Sequence, residues 1–278
     1  MTYKTLLLHV DDSLACAKRT QVAVDLVQTF DAHLMGLYGV PPFPIPAHMR
    51  AELGEAYETW CKRLLKDARE RAQAAFENWI SHAGIAAEWR CAERDVLEAF
   101  QIEAPYADLI IVGQTDPDPE SPSVVRDFPE LICLSSGRPV LIIPYAGAFA
   151  RIGKHVLIAW NGSREAARAV SDALPFLKRA SQITVLAVNA EQDDSGHRDD
   201  PGANLVNYLA RHGVKAEATQ SYSDEVDAGN LLLSRAADLS ADLLVMGAYG
   251  HSRVREMVLG GVTRTLLRDM TLPVLMSH

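Results

Sequence analysis

The chain has 278 residues, 48% hydrophobic and 23% charged, with a net charge of −9, which suits a soluble globular protein of one large or two ordinary domains. The acidic balance argues against nucleic-acid binding, which rests on basic surface neutralising phosphates, and no apolar run approaches the roughly 20 residues needed to span a bilayer. Four scattered cysteines (Cys16, Cys61, Cys91, Cys133) and nine dispersed histidines, with no CxxC, HxxxH or HExxH spacing, argue against a disulfide framework and a zinc site.

From Lys4 the chain runs straight into an apolar, strand-like segment with no apolar leader, so a cytoplasmic location with reduced core thiols is expected. That segment, Lys4 to Val10, ends in the polar turn Asp11-Asp12-Ser13 and passes into a helix-period stretch. The prolines between Pro41 and Pro46 form a stiff link incompatible with helix, and a long helix follows from about 47 to 82. Its charged stretch from Lys62 to Arg71 reads as a solvated face. Trp60, Trp79, Trp89 and Trp160 are too scattered for a stacking platform and suit core or interface packing.

Residues 146–153 form a short joint, after which the pattern returns. Lys4-Thr-Leu-Leu-Leu-His-Val-Asp-Asp-Ser13 is matched by Lys154-His-Val-Leu-Ile-Ala-Trp-Asn-Gly-Ser163, Asp108–Gly113 by Asp242–Gly247, and Arg138-Pro-Val-Leu by Leu272-Pro-Val-Leu. Three matches in one order imply an internal duplication. In the second half strands are expected at 154–160, 182–189, 214–220, 242–247 and 272–276. Helices are expected at about 164–179, 201–212, 224–239 and 260–269, with Ser163 and Ser223 as N-caps. The acidic segment 191–200 should be a solvated loop. Continuous apolar strands separated by helices mean right-handed crossovers and a parallel sheet buried on both faces. The expected fold is α/β: two tandem doubly wound, Rossmann-like five-stranded parallel sheets, with domains at 1–146 and 153–278, packed against each other across the short joint.

The segment from Gly247 to Thr263 follows a buried strand and enters a helix, with glycines at 247, 250, 260 and 261. In open α/β sheets ligands sit at the carboxyl ends of strands. Glycines there let backbone approach a phosphate, and the next helix aims unpaired N–H groups at it. Arg253 and Arg255 would add charge. The bland alternative is a plain βα turn that uses glycine for geometry.

The spacing Gly-x2-Gly-x9-Gly resembles the nucleotide loop of the universal stress protein family, as do the strand-1 turn and the final Pro-Val-Leu strand. The resemblance covers nearly the whole chain, once per half. It implies a five-stranded parallel sheet in each half, with the final strands paired in an intrachain pseudo-dimer, and a further homodimer as a possibility. It also implies ATP as ligand, with Mg2+ accompanying it. Carried over by position, Asn161 meets the base or ribose and the Val188 backbone meets the adenine edge. Gly247, Gly250, His251, Arg253, Gly260, Gly261, Val262 and Thr263 surround ribose and phosphates.

Two departures stand out. Asn161 replaces the family's usual Asp, and Gly261 replaces a Ser or Thr, a lost contact worth roughly 0.5–1.5 kcal/mol. Thr263 lies nearby, although a helix would turn it aside. In the first half Asp116 replaces the second glycine and Arg126-Asp127 replaces the last pair, while acids and prolines fill 116–122. That half keeps Asp11 but is expected to have lost nucleotide binding. His9 is expected in the core or at its rim.

No P-loop, dinucleotide fingerprint or Gly-x-Ser-x-Gly elbow is present, and no catalytic residue is assigned. The expected function is an adenine-nucleotide-binding stress sensor or adaptor, with unidentified protein partners and neither nucleic acid nor membrane among its ligands. The alternatives are an interaction module without nucleotide and, below that, a slow ATPase.

Overall fold

The computed structural model describes residues 2–40, 47–116, 127–188, 201–221, 227–249 and 261–278, with side chains in 47–57 and at 188 and 201 left aside. The first half runs β1 (Thr5–His9), α1 (Leu14–Phe30), β2 (His33–Val40), α2 (Ala47–Ala83), β3 (Ala87–Asp95), α3 (Val96–Glu103), β4 (Leu109–Gly113), α4 (Phe128–Ser135) and β5 (Val140–Ile143). The second runs β6 (His155–Trp160), α5 (Arg164–Leu177), β7 (Gln182–Val188), α6 (Pro201–Arg211), β8 (Glu217–Ser221), α7 (Ala228–Asp238), β9 (Leu243–Gly247), α8 (Gly261–Asp269) and β10 (Val274–Ser277).

All ten strands form one sheet, in the order β3-β2-β1-β4-β5-β10-β9-β6-β7-β8. Within each half every pairing is parallel. The halves join where β5 and β10 run antiparallel, with Ile142 opposite Val274 and Val140 opposite Met276. The two expected five-stranded sheets are thus one continuous surface, because the last strand of each half supplies the other's missing edge partner.

The apolar runs explain this layering. Successive strand residues point to opposite faces, and both faces here are covered. Leu6 and Leu8 pack with Ile111, Ile158 and Val245 under α1, α5 and α6, whereas Leu7 packs with Ile110, Leu157 and Leu244 under α3, α4, α7 and α8. Each such leucine contributes about 1.5–3 kcal/mol by leaving water, so a charge at Leu157 would break the centre of the second half.

Tyr3, Phe30 and Phe176 stack edge to face across the two halves, with centroids 5.0–5.6 Å apart, and the Tyr3 hydroxyl donates to the Asp172 carbonyl at 2.6 Å.

Helix starts follow local chemistry. The Ser163 hydroxyl accepts from the Ala166 N–H at 3.2 Å, capping α5 as expected. Helix α7 begins later than the expected 224, because Asp227 caps it by accepting from the N–H groups of Gly229 and Asn230. Ser223 and the 191–200 loop lie outside the described residues, as do Pro41–Pro46. Strand β8 starts at Glu217 instead of 214: Val214 is buried and its N–H closes the end of α6 on the Leu209 carbonyl. All four cysteines are free thiols.

Candidate functional site

In each half the chain goes from the central strand to one side of the sheet, then returns to the other side. Strand β6 has β7 on one flank and β9 on the other, and β1 has β2 and β4. Such switch points open a crevice at the carboxyl ends of the strands. The β6–β9 ladder ends at Ile158–Val245, two residues short of both strand ends, and the β1–β4 ladder ends in a similar way at Leu8–Ile111. The strands therefore part where Asn161 and Gly247, or Asp11 and Gly113, stand.

In the second half Asn161 is exposed at the tip of β6 and its Oδ1 accepts from the Ser163 N–H at 3.1 Å, a local turn that fixes the side chain. Gly247 faces the start of α5 so closely that a Cβ there would sit 2.4 Å from the Ala166 nitrogen and 2.5 Å from the Glu165 carbonyl carbon. Only glycine lets strand and helix approach in this way. Val188 ends β7, paired with Ser221 on β8. Gly261 opens α8 and is exposed, and a Cβ added there would have no neighbour within 4 Å among the described residues. As at any helix start, the first turn of α8 has N–H groups without intrahelical partners and carries the positive end of the dipole. Val262 is partly buried against α7, and Thr263 is buried, so its hydroxyl turns into the protein as helix geometry demands. Gly250, His251, Arg253, Arg255 and Gly260 lie outside the described residues.

Glu165, beside Gly247, is 2% exposed and pairs with Arg164. Burial pushes its carboxyl up, but the Arg164 guanidinium and its own backbone N–H outweigh this and hold it low.

The corresponding crevice of the first half is filled from within. Arg19, on the first turns of α1, is 3% exposed; its Nε donates to the His9 carbonyl at 2.7 Å and its Nη2 lies 2.7 Å from Asp11 Oδ2. Asp11 Oδ1 also accepts from the Ser13 N–H and hydroxyl. Burial would raise the Asp11 carboxyl, yet Arg19 and Ser13 hold it well below the usual carboxylate range. The guanidinium lies on Gly113, where a Cβ would be 2.9 Å from Nη1. His9 sits in the core against Phe128 and Phe100, at 4.8 and 5.6 Å between ring centroids. Burial first, and then Arg19, lower its pKa to about 3, so it is neutral beside Asp11. The space left among His9, Asp11, Arg19 and Gln114 is about 20 Å3, room for about one water.

Arg19 and His9 thus fill this crevice from the helix and the strand. Register places Ala169 on α5 where α1 has Arg19, and Ala159 on β6 where β1 has His9. The sequence signal for Arg19 is an arginine in step with Cys16, Thr20 and Ala23 on the buried stripe of a helix. Among the described residues no group of three or more His, Cys, Asp or Glu is placed to hold a metal ion, and no helix is long and apolar enough to cross a membrane.

Comparison with known proteins agrees with this architecture. Residues 153–278 match the universal stress protein family. The universal stress protein Slr1230 of Synechocystis sp. is 32% identical over 150 residues, 52% of this chain and 49% of its own length, so the chain spans about half the length of that relative. Among solved structures, a universal stress protein from Archaeoglobus fulgidus superposes with a TM-score of 0.68 at 17% identity, over 98% of this chain and 95% of that one. A protein of unknown function from Pseudomonas aeruginosa superposes with a TM-score of 0.57 at 14% identity, over 99% and 92%. At these identities the superpositions establish the shared fold across both halves, while the family match rests on the C-terminal half. Residues 153–278 therefore match the universal stress protein family, and the whole chain is built from two tandem halves that share the fold of its solved structural neighbours.

Proposed function

We propose that residues 153–278 bind an adenine nucleotide, ATP being the family's expected ligand, and that residues 1–146 form a partner half without nucleotide. The observation that carries this reading is the contrast between two equivalent crevices. One is closed by the Asp11–Arg19 ion pair and His9. The other has alanines at the positions of Arg19 and His9, a glycine at the strand end and a helix N-terminus at Gly261 that no described residue crowds within 4 Å of an added Cβ. Asn161 would hydrogen-bond a ribose hydroxyl through its amide, the Val188 backbone would meet the base, and the α8 N–H groups would meet phosphate oxygens. The biological role that fits a binder without an assigned acid and base is that of a sensor or adaptor, in which bound nucleotide biases a surface read by partners.

The test is thermal unfolding with ATP, ADP, AMP and no ligand, on the native chain and on Gly250→Asp, which copies the first half's own change. A binder's melting temperature rises with ligand by mass action, and the rise disappears in the variant. No shift with any nucleotide at millimolar concentration overturns the reading and leaves an interaction module.

A further inference from the structure

Beside the start of β6, where Gly153 and Lys154 lead into the strand, a groove of about 690 Å3 runs between the two halves. Its walls are the C-terminal ends of α1 and α5, and its third side is the joint formed by residues 149–154. The volume lies within the roughly 300–1,000 Å3 of sites that take small organic ligands.

The lining combines two chemistries. Phe30, Phe149 and Phe176 provide ring faces and edges. Arg151, Lys154 and Arg179 provide three cations, all exposed, against the single carboxylate of Asp25. Among the described residues none of the three cationic side chains forms an ion pair or a hydrogen bond; Arg151 acts on Asp25 only through its field. The Arg179 guanidinium lies over the Phe30 ring, 5.5 Å from its centroid, which orients it along the wall. The joint is held in place: Gly153, at φ +82°, packs against Phe176, and its N–H donates to Asp242 Oδ1 at 2.8 Å. In a chain of net charge −9, three unneutralised cations around aromatic walls form a local positive site that attracts anions against the overall charge.

We infer that this inter-half groove is a binding site for a small organic anion with an aromatic body, its carboxylate, sulfonate or phosphate set between Arg151 and Arg179 and its ring against Phe149. Guanidinium groups hold such oxyanions through paired N–H donors, and the ring contact supplies the apolar area that an inorganic ion lacks. The site is independent of the β6–β9 crevice, which lies at the other ends of the same strands.

Fluorescence titration of the full chain with 8-anilinonaphthalene-1-sulfonate, an aromatic sulfonate, tests this, with neutral N-phenyl-1-naphthylamine as the uncharged control. The sulfonate should saturate one site and weaken as sodium chloride is added. The double variant Arg151→Gln/Arg179→Gln should weaken it about tenfold while leaving the neutral probe unchanged, and Phe149→Ala should weaken both probes. Neither arginine belongs to the nucleotide crevice, so the double variant should keep its nucleotide response. Sulfonate affinity that is indifferent to salt, or unchanged in a double variant whose circular dichroism matches the parent, overturns the proposal. Should the double variant fold poorly, Lys154→Gln provides the same comparison at the groove's rim.

Discussion

The side-chain amide of Gln114 donates to the carbonyl oxygens of Leu267 and Arg268, each at 2.9 Å, so the tip of β4 in the first half closes the C-terminal end of α8 in the second. Its own oxygen accepts from the Tyr145 N–H at 3.2 Å, and the residue is buried. One amide thereby satisfies groups from both halves. Helix α8 begins at the candidate phosphate site and ends on this amide, which sits beside the filled crevice of the first half. Gln114→Ala leaves helix carbonyls and one N–H without partners, and should cost about 2–4 kcal/mol in urea unfolding.

The Asp11–Arg19 pair sets up a second test. Arg19→Met strands a buried carboxylate and should destabilise by about 3–5 kcal/mol, whereas adding Asp11→Asn should recover much of that loss, since a buried pair is costly to break and inexpensive to replace. Chemical denaturation of the two variants measures this directly. Equal losses would mean that Asp11 finds another partner.

His9 gives a pH signature. Its folded pKa of about 3 lies below the unfolded value of 6.5, so the unfolded chain binds the extra proton between those limits. Stability is then fully present above pH 6.5 and falls as the pH drops toward 3, by up to ~4 kcal/mol. Asp11, whose folded pKa is also depressed, adds a loss only below the normal carboxylate value of 3.8. In His9→Leu the slope between pH 6.5 and about 4 should flatten, as read from denaturation midpoints at successive pH values.

The two described glycines of the candidate site should behave oppositely. Gly247→Ala drives a methyl into the backbone of α5 and should destabilise the second half by about 3 kcal/mol or more, as overpacking against main chain does. Gly261→Ser meets nothing within 4 Å among the described residues and should leave stability nearly unchanged. If nucleotide binds as proposed, the added hydroxyl should tighten it roughly two- to tenfold, the worth of about one hydrogen bond, measurable by calorimetric titration.

Much of this architecture is legible in the chain. Apolar runs such as Leu243–Met246 suit strands buried on both faces, and the repeat of Asp108–Gly113 at Asp242–Gly247 places the crevices. The long helix expected from 47 to 82 is observed as Ala47–Ala83. Less is readable where tertiary context outweighs local pattern. Ser13 precedes α1 as a cap should, yet its hydroxyl is engaged by Asp11 and caps nothing. Arg19 reads as one more charge on a helix, because the carboxylate that makes its burial possible lies eight residues earlier, beyond a turn.

The antiparallel seam of β5 and β10 has an evolutionary consequence. Between two identical chains every substitution at such a seam, or in a crevice beside it, lands twice, so one site cannot be lost without losing its twin. With both copies on one polypeptide, the symmetry becomes geometric only. An arginine can plug one crevice where the other carries an alanine, and a groove can form across the axis between equivalent helix ends that carry different side chains, Thr29 on one and Arg179 on the other. On one polypeptide, equivalent positions are free to carry different residues, as Arg19 and Ala169 do.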